Sequence, residues 1–127
     1  LVYTGFRWHV RAWCEKNQDY RDFVLSRFRG EGELLDDSPR CAEDDEQWNT
    51  MVSIKVVPDP RLSAAQQEVV ARDYGMEDGA LCLGTRATLV NYLLRLLPLD
   101  AQRPQDNPLA QQIVIRNLDE IRPFLFS

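Results

Sequence analysis

The sequence predicts an α+β chain in two parts, a β-hairpin followed by a small ferredoxin-like α+β layer, and three observations carry that expectation. From Phe6 to Cys14, bulky residues alternate with cationic ones at the period of two that a strand imposes. From Met51 onward the pattern reads strand, helix, strand, helix, strand, helix, the order of a small layered α+β domain. Between them, residues 36–50 are rich in Asp and Glu and read as an acidic linker separating 1–35 from 51–127.

The 127 residues suffice for one ordinary domain or two very small ones. A hydrophobic fraction of 44% and a charged fraction of 28% are those of a soluble globular protein. No run approaches the roughly 18 apolar residues of a membrane span, so no membrane partner is expected. The formal charge of -5 argues against a broad nucleic-acid surface, and any basic site must be local. Cys14, Cys41 and Cys82 are odd in number, widely spaced and without a Cys-x-x-Cys pair. That spacing suits neither a disulfide framework nor zinc, and the expectation is reduced thiols in a cytoplasmic protein, with no metal and no cofactor. The chain opens at Leu1 without methionine or the features of a signal peptide, and is expected to be a piece of something longer.

Taken in order, Leu1 to Tyr3 is short and β-prone, Thr4-Gly5 breaks it, and the strand Phe6 to Cys14 follows. Polar Glu15 to Asp19 turns the chain into a second strand-like run, Tyr20 to Phe28, making a hairpin. In the second run Arg21, Phe23, Leu25 and Arg27 would share a face. From Arg29 to Asn49 glycines, Asp36-Asp37-Ser38-Pro39 and Glu43-Asp44-Asp45-Glu46 read as a solvated connection, with Leu34, Leu35 and Trp48 its few core-like residues.

Met51 to Val57 reads as a strand stopped by Pro58-Asp59-Pro60. Ser63-Ala64-Ala65-Gln66 has the form of a capping box and opens a helix to about Tyr74, with Gly75 as its stop. Ala80 to Ala87 is a strand. Thr88 then caps a helix to Leu97 that is apolar nearly all round, a pattern suited to burial in its own domain and to a homodimer interface, readings that are compatible. Pro98 to Pro108 is a loop, Gln112 to Arg116 a third strand, and Asn117 caps a last short helix whose Asp119 and Glu120 suit the N-terminal dipole.

The chemistry concentrates in the opening strand. One face gathers Phe6, Trp8, Val10, Ala12 and Cys14 and should build a core; the other gathers Arg7, His9, Arg11 and Trp13. Arginine offers a bidentate fork to phosphate or carboxylate and Trp13 can stack on a base, so a nucleotide or short nucleic-acid end would fit. Against that stands the reading that Arg7 and Arg11 only decorate a solvated face. His9 and Cys14 are an odd number apart, hence on opposite faces of one strand, which argues against a cysteine nucleophile with a histidine base. No enzyme activity is expected. His9 could also respond to pH near neutrality.

With these residues identified, the hairpin resembles the WYL domain, the ligand-sensing module of many bacterial transcription regulators. Trp8-His9-Val10 stands at the name-giving Trp-Tyr-Leu triplet. The stretches Arg7 to Glu15 and Tyr20 to Phe28 are similar to the branch of BrxR and CapW type regulators of phage-defence operons. The resemblance implies that 1–35 is the C-terminal part of an SH3-like or Sm-like β-barrel and that 51–127 is the C-terminal extension that helps to form a homodimer. It implies ligand contacts at His9, Arg21 and Arg27 beside Arg7, Arg11 and Trp13. It also implies a winged helix-turn-helix and the first barrel strands upstream of Leu1, so that operator DNA is met only through an N-terminal domain absent from this sequence. His9 replaces the tyrosine of the triplet, which changes the polar group offered to a ligand; Val10 for leucine is a conservative change. The expected function is effector sensing and dimerisation in a transcriptional regulator, with a ligand-free oligomerisation or protein-interaction module as the alternative.

Overall fold

The computed structural model describes residues 1–100 and 106–125; positions 101–105 of the expected loop lie outside the described residues. The chain divides into two compact units, Leu1–Asn49 and Thr50–Ser127.

The first unit is a three-stranded antiparallel sheet in the order β1 (Val2–Tyr3), β2 (Trp8–Cys14), β3 (Asp19–Val24). Gly5, at φ 104°, reverses the chain between β1 and β2, and Thr4 closes the turn with its backbone N–H and hydroxyl on the Arg7 carbonyl at 3.1 and 3.0 Å. The β2–β3 hairpin pairs Cys14 with Asp19, Trp13 with Tyr20, Arg11 with Asp22 and His9 with Val24. Directly opposed residues point to the same side, so Arg21, paired with Ala12, lies on the other face from Arg11 and Trp13.

Two expectations change here. The second strand ends at Val24, and Leu25–Arg27 forms a 3-10 turn closed by the Phe28 N–H on the Leu25 carbonyl at 3.2 Å, which takes Arg27 off the shared face. The face expected to be the core is covered only in part: Phe6 is 97% exposed and Trp8 49%, Val10, Ala12 and Cys14 are half-buried, and the most buried residue of β2, His9 at 3%, lies on the other face. The described strands form an open sheet, as one part of a barrel would.

Nor is the acidic stretch a solvated connection throughout. Ala42–Asp44 forms a 3-10 turn and Glu46–Asn49 a single helical turn, α1. Both are held by side chains that receive orphan N–H groups: Asp44 accepts from the Cys41 N–H at 3.0 Å, and Asp45 accepts from the Trp48 N–H at 3.3 Å.

The second unit is a three-stranded sheet in the order β5 (Leu81–Arg86), β4 (Met51–Pro58), β6 (Ile113–Ile115), every neighbour antiparallel. It is the α+β arrangement expected, but the sequential strands β4 and β5 are antiparallel neighbours, unlike the parallel β-α-β unit of a ferredoxin-like layout. Along β4 the alternation is clean, with Val52, Ile54, Val56 and Pro58 inside. Pro58, expected to stop the strand, is its last residue opposite Ile113; Asp59 resumes the bonding with its N–H on the Gln112 carbonyl at 2.8 Å.

Helix α2 (Ala64–Asp73) starts at the expected capping box: Gln66 N–H donates to Ser63 Oγ at 3.2 Å, and Gln66 Oε1 accepts from Ser63 N–H at 3.0 Å. Gly75, at φ 62°, provides the left-handed stop. The apolar helix begins with a 3-10 turn, Ala87–Leu89, continues as α3 (Val90–Arg95), and is not capped by the Thr88 side chain. Val90 and Leu94 enter the core with Ile54, Val56, Ile113 and Ile121, while Leu96 stays 63% exposed. Each fully buried aliphatic of that cluster is worth about 1.5–3 kcal/mol of transfer free energy. The last helix is α4 (Leu118–Ile121), and the Asn117 side chain does not cap it.

Candidate functional site

On the His9, Arg11 and Trp13 face of the first sheet, charge and aromatic surface meet. Arg11 lies at its centre. Its Nε donates to Asp45 Oδ2 at 2.8 Å and its Nη2 to Asp45 Oδ1 at 3.1 Å, a bidentate fork across 34 residues of sequence. Nη1 reaches Asp22 Oδ1, directly opposite on β3, at 3.5 Å, and His9 Nε2 lies 3.5 Å from that same oxygen. The pair is nearly dry: the Arg11 side chain is 13% exposed and that of Asp45 4%.

Burial by itself would lower the Arg11 pKa, but hydrogen bonding and charge from Asp45, with Asp22 adding to both, outweigh it and hold the guanidinium above its ordinary value. Asp45 shows the mirror balance: burial pushes its carboxyl up, while the Arg11 bond, the Trp48 N–H and the Arg11 charge bring it below the usual range. Both groups are therefore firmly ionised.

Beside this pair the first unit carries a half-open cavity of about 440 Å³ lined by Arg11, Trp13, Tyr20, Arg40, Asp45 and Trp48, among others. Tyr20 packs edge-on to Trp13 with ring centroids 5.1 Å apart, and its hydroxyl donates to the Cys41 carbonyl at 2.7 Å. The Arg40 guanidinium lies over the Trp13 ring, 5.1 Å from its centroid. An apolar hollow with a few convergent charged groups is the usual form of a small-molecule site.

Of the six residues singled out in the sequence, the structure gathers His9, Arg11 and Trp13 on one face, with Arg11 and Trp13 at the cavity. Arg21 lies on the opposite face; Arg7 and Arg27 are exposed and off the strands. Sequence reasoning missed Asp45, Arg40, Tyr20 and Trp48. The available signal was Trp48 three residues after Asp45, an apolar anchor and a capping residue inside a run that otherwise reads as solvated. Among the described residues no group of His, Cys, Asp and Glu could hold a metal ion, and no helix is long and apolar enough to cross a membrane.

Comparison with known proteins gives this arrangement a class. Residues 1–30 match the WYL domain, and residues 51–121 match the C-terminal dimerization domain of the BrxR transcriptional regulator. The class is thus that of transcription regulators, with a WYL segment in the first unit and a dimerization domain in the second. Within it the chain belongs to the BrxR family, whose dimerization-domain match covers more than half of its length. Its relatives include the DNA-binding transcriptional repressor CapW of Escherichia coli, 42% identical over 125 residues, which are 98% of this chain and 42% of that protein. The CapW repressors of Stenotrophomonas maltophilia and Pseudomonas aeruginosa are each 38% identical over the same shares. The chain spans 42% of the length of the curated relatives it matches.

Proposed function

We propose that this chain is the effector-sensing and homodimerising portion of a transcriptional repressor controlling a phage-defence operon. The observation that carries the proposal is the dimerization-domain match over 51–121, joined to a WYL segment that lines an aromatic and cationic pocket together with residues 38–48. In this reading the second unit pairs two copies, the cavity takes a nucleotide or a short nucleic-acid end, and operator DNA is bound elsewhere in the regulator. Effector binding works by favouring one of two arrangements of the dimer, which requires a different affinity for each. The protein acts in the cytoplasm and without catalysis.

Sedimentation equilibrium tests the pairing, with a dimer expected; a monomer at every reachable concentration would overturn it. For sensing, Trp13→Leu in the full regulator should leave operator binding intact and abolish the response to effector. Normal derepression in that variant would reject the cavity as the sensor. A second reading, a ligand-free oligomerisation module, is favoured by one observation: Arg11 is already matched by Asp45 and Asp22. Binding of a ring-bearing anion to the intact chain separates the two.

A further inference from the structure

The cavity of the first unit holds, from its own chain, both chemical parts that a ligand would bring. Asp45 places a buried carboxylate in the Arg11 fork at 2.8 and 3.1 Å, and Arg40 lays a flat guanidinium 5.1 Å over the Trp13 ring. An arginine fork accepts carboxylate and phosphate alike, and an indole face accepts any planar π system. The polar ties of segment 41–49 to the hairpin include Arg11 to Asp45, Arg11 Nη2 to Gln47 Oε1 at 3.4 Å, and Tyr20 to the Cys41 carbonyl. Other bonds lie within the segment and survive its release, such as Asn49 Nδ2 to the Ala42 and Asp45 carbonyls at 2.8 and 2.9 Å. The volume of about 440 Å³ suits a small molecule.

We propose that this cavity is a self-occupied anion site: Asp45 stands in for the acidic head, and Arg40 for the flat body, of a ligand that is an aromatic ring bearing one phosphate or carboxylate group. The inference rests on the effector reading above and adds to it the ligand class and the internal competitor. Binding is an exchange. One anion leaves the Arg11 fork as another enters, Arg40 gives up the Trp13 face to the ring, Asp22 keeps its place, and segment 40–49 is released when the ligand arrives.

Asp45→Asn in the intact chain removes the competing charge and keeps a residue that caps α1 as well as Asp does. Titration with adenosine monophosphate, benzoate and inorganic phosphate is followed by tryptophan fluorescence. Adenosine monophosphate or benzoate should bind the variant about tenfold or more tighter than wild type, the factor by which the fork was occupied. The two gains should match, because both report the same occupied fraction, and the tighter of the two probes on the variant is the better model of the ligand. Trp13→Leu should weaken both ring-bearing probes and leave inorganic phosphate unchanged. In wild type, saturation with the better probe should speed hydrogen exchange of the 44–49 amides, a readout that stands even where Asp45→Asn fails to fold. No gain in affinity in a folded Asp45→Asn, or a bound probe with segment exchange unchanged, overturns the proposal. Binding of a probe with equal affinity to wild type and variant defeats the exchange alone, whereas no binding of any probe to either defeats the effector reading with it, so the two failures are distinguishable.

Discussion

Asn117 extends the β4–β6 pairing beyond the point where β6 ends, because its side chain behaves toward Lys55 as a strand backbone would. Oδ1 accepts the Lys55 N–H at 2.9 Å, and Nδ2 donates to the Ser53 carbonyl at 2.7 Å, just past the bond from the Arg116 N–H to the Lys55 carbonyl at 2.8 Å. This replaces the capping role expected from the sequence. Asn117→Ala leaves a strand donor and acceptor unmatched in a largely buried place, and should cost about 2–6 kcal/mol, two groups at the penalty of an unsatisfied one. Asn117→Asp keeps the acceptor but turns a carboxylate toward the Ser53 carbonyl, and should be no milder. Urea unfolding of the chain measures both; a loss below about 0.5 kcal/mol for Ala would mean that water replaces the side chain.

A second prediction concerns the turn after β4. Arg61 holds the buried Asp59 carboxylate through Nη2 at 2.7 Å and Nε at 3.1 Å, and the Arg61 N–H adds a bond to Oδ1 at 2.9 Å. The side-chain bond from Arg61 is the main cause that holds the Asp59 carboxyl below its ordinary value. A depressed folded value means that this stabilisation is complete above the unfolded pKa, about 3.9, and is lost as pH falls through the lower folded value. Asp59→Asn should therefore flatten the loss of stability below about pH 4 relative to wild type. At neutral pH, Arg61→Ala should cost more than Asp59→Asn. It strands a carboxylate that is 3% exposed, whereas the arginine, 46% exposed, can turn to water. Equal losses would show that Asp59 gains solvent when Arg61 is cut.

What the sequence discloses and what it hides divides along the range of the interactions. The elements of the second unit are written in local patterns: the alternation Val52, Ile54, Val56, the Ser63 box with its Gly75 stop, and the β-branched run at Ile113. Each is fixed by neighbours within a few residues. Asn117 departs from its local role because its partners lie 62 and 64 positions away. Asp45 is hidden for the same reason, since nothing in Glu43-Asp44-Asp45-Glu46 says that one carboxylate will meet Arg11 while its neighbours stay exposed. In the hairpin, period two separates the faces correctly but does not say which is covered. His9 is buried against Asp22, and Trp8 stacks on Tyr3 in a half-exposed pair with centroids 5.1 Å apart.

The capping box of α2 offers a smaller, sharper test. Ser63→Ala removes the acceptor for the Gln66 N–H and should cost about 1 kcal/mol, while Ser63→Asp should be close to neutral, since it caps equally well. Thermal unfolding compared across the pair measures it. No loss from Ala would place the stabilisation in the Gln66 side chain's return bond, which both variants keep, rather than in the serine hydroxyl.

The last prediction joins α3 to the dimerization domain. The helix sends Val90 and Leu94 into the core, but the turn that follows leaves Leu96 63% exposed. Leucine exposed to that degree on a domain whose family dimerises is a natural contribution to the pairing surface, where apolar area is covered by the second copy. Leu96→Glu leaves the core residues in place, so the fold should survive with a change in stability within about 0.5 kcal/mol. In the dimer, by contrast, a charge would be driven into a dry contact, and dissociation should become easier by about tenfold or more, ~1.4 kcal/mol in association free energy. Sedimentation equilibrium on the variant and on Val69→Glu, on α2 and 58% exposed, locates the contact. Weakening by the Leu96 change alone places α3 at the interface. Weakening by the Val69 change alone would move the interface to α2 and reassign the apolar surplus of α3 to its own core.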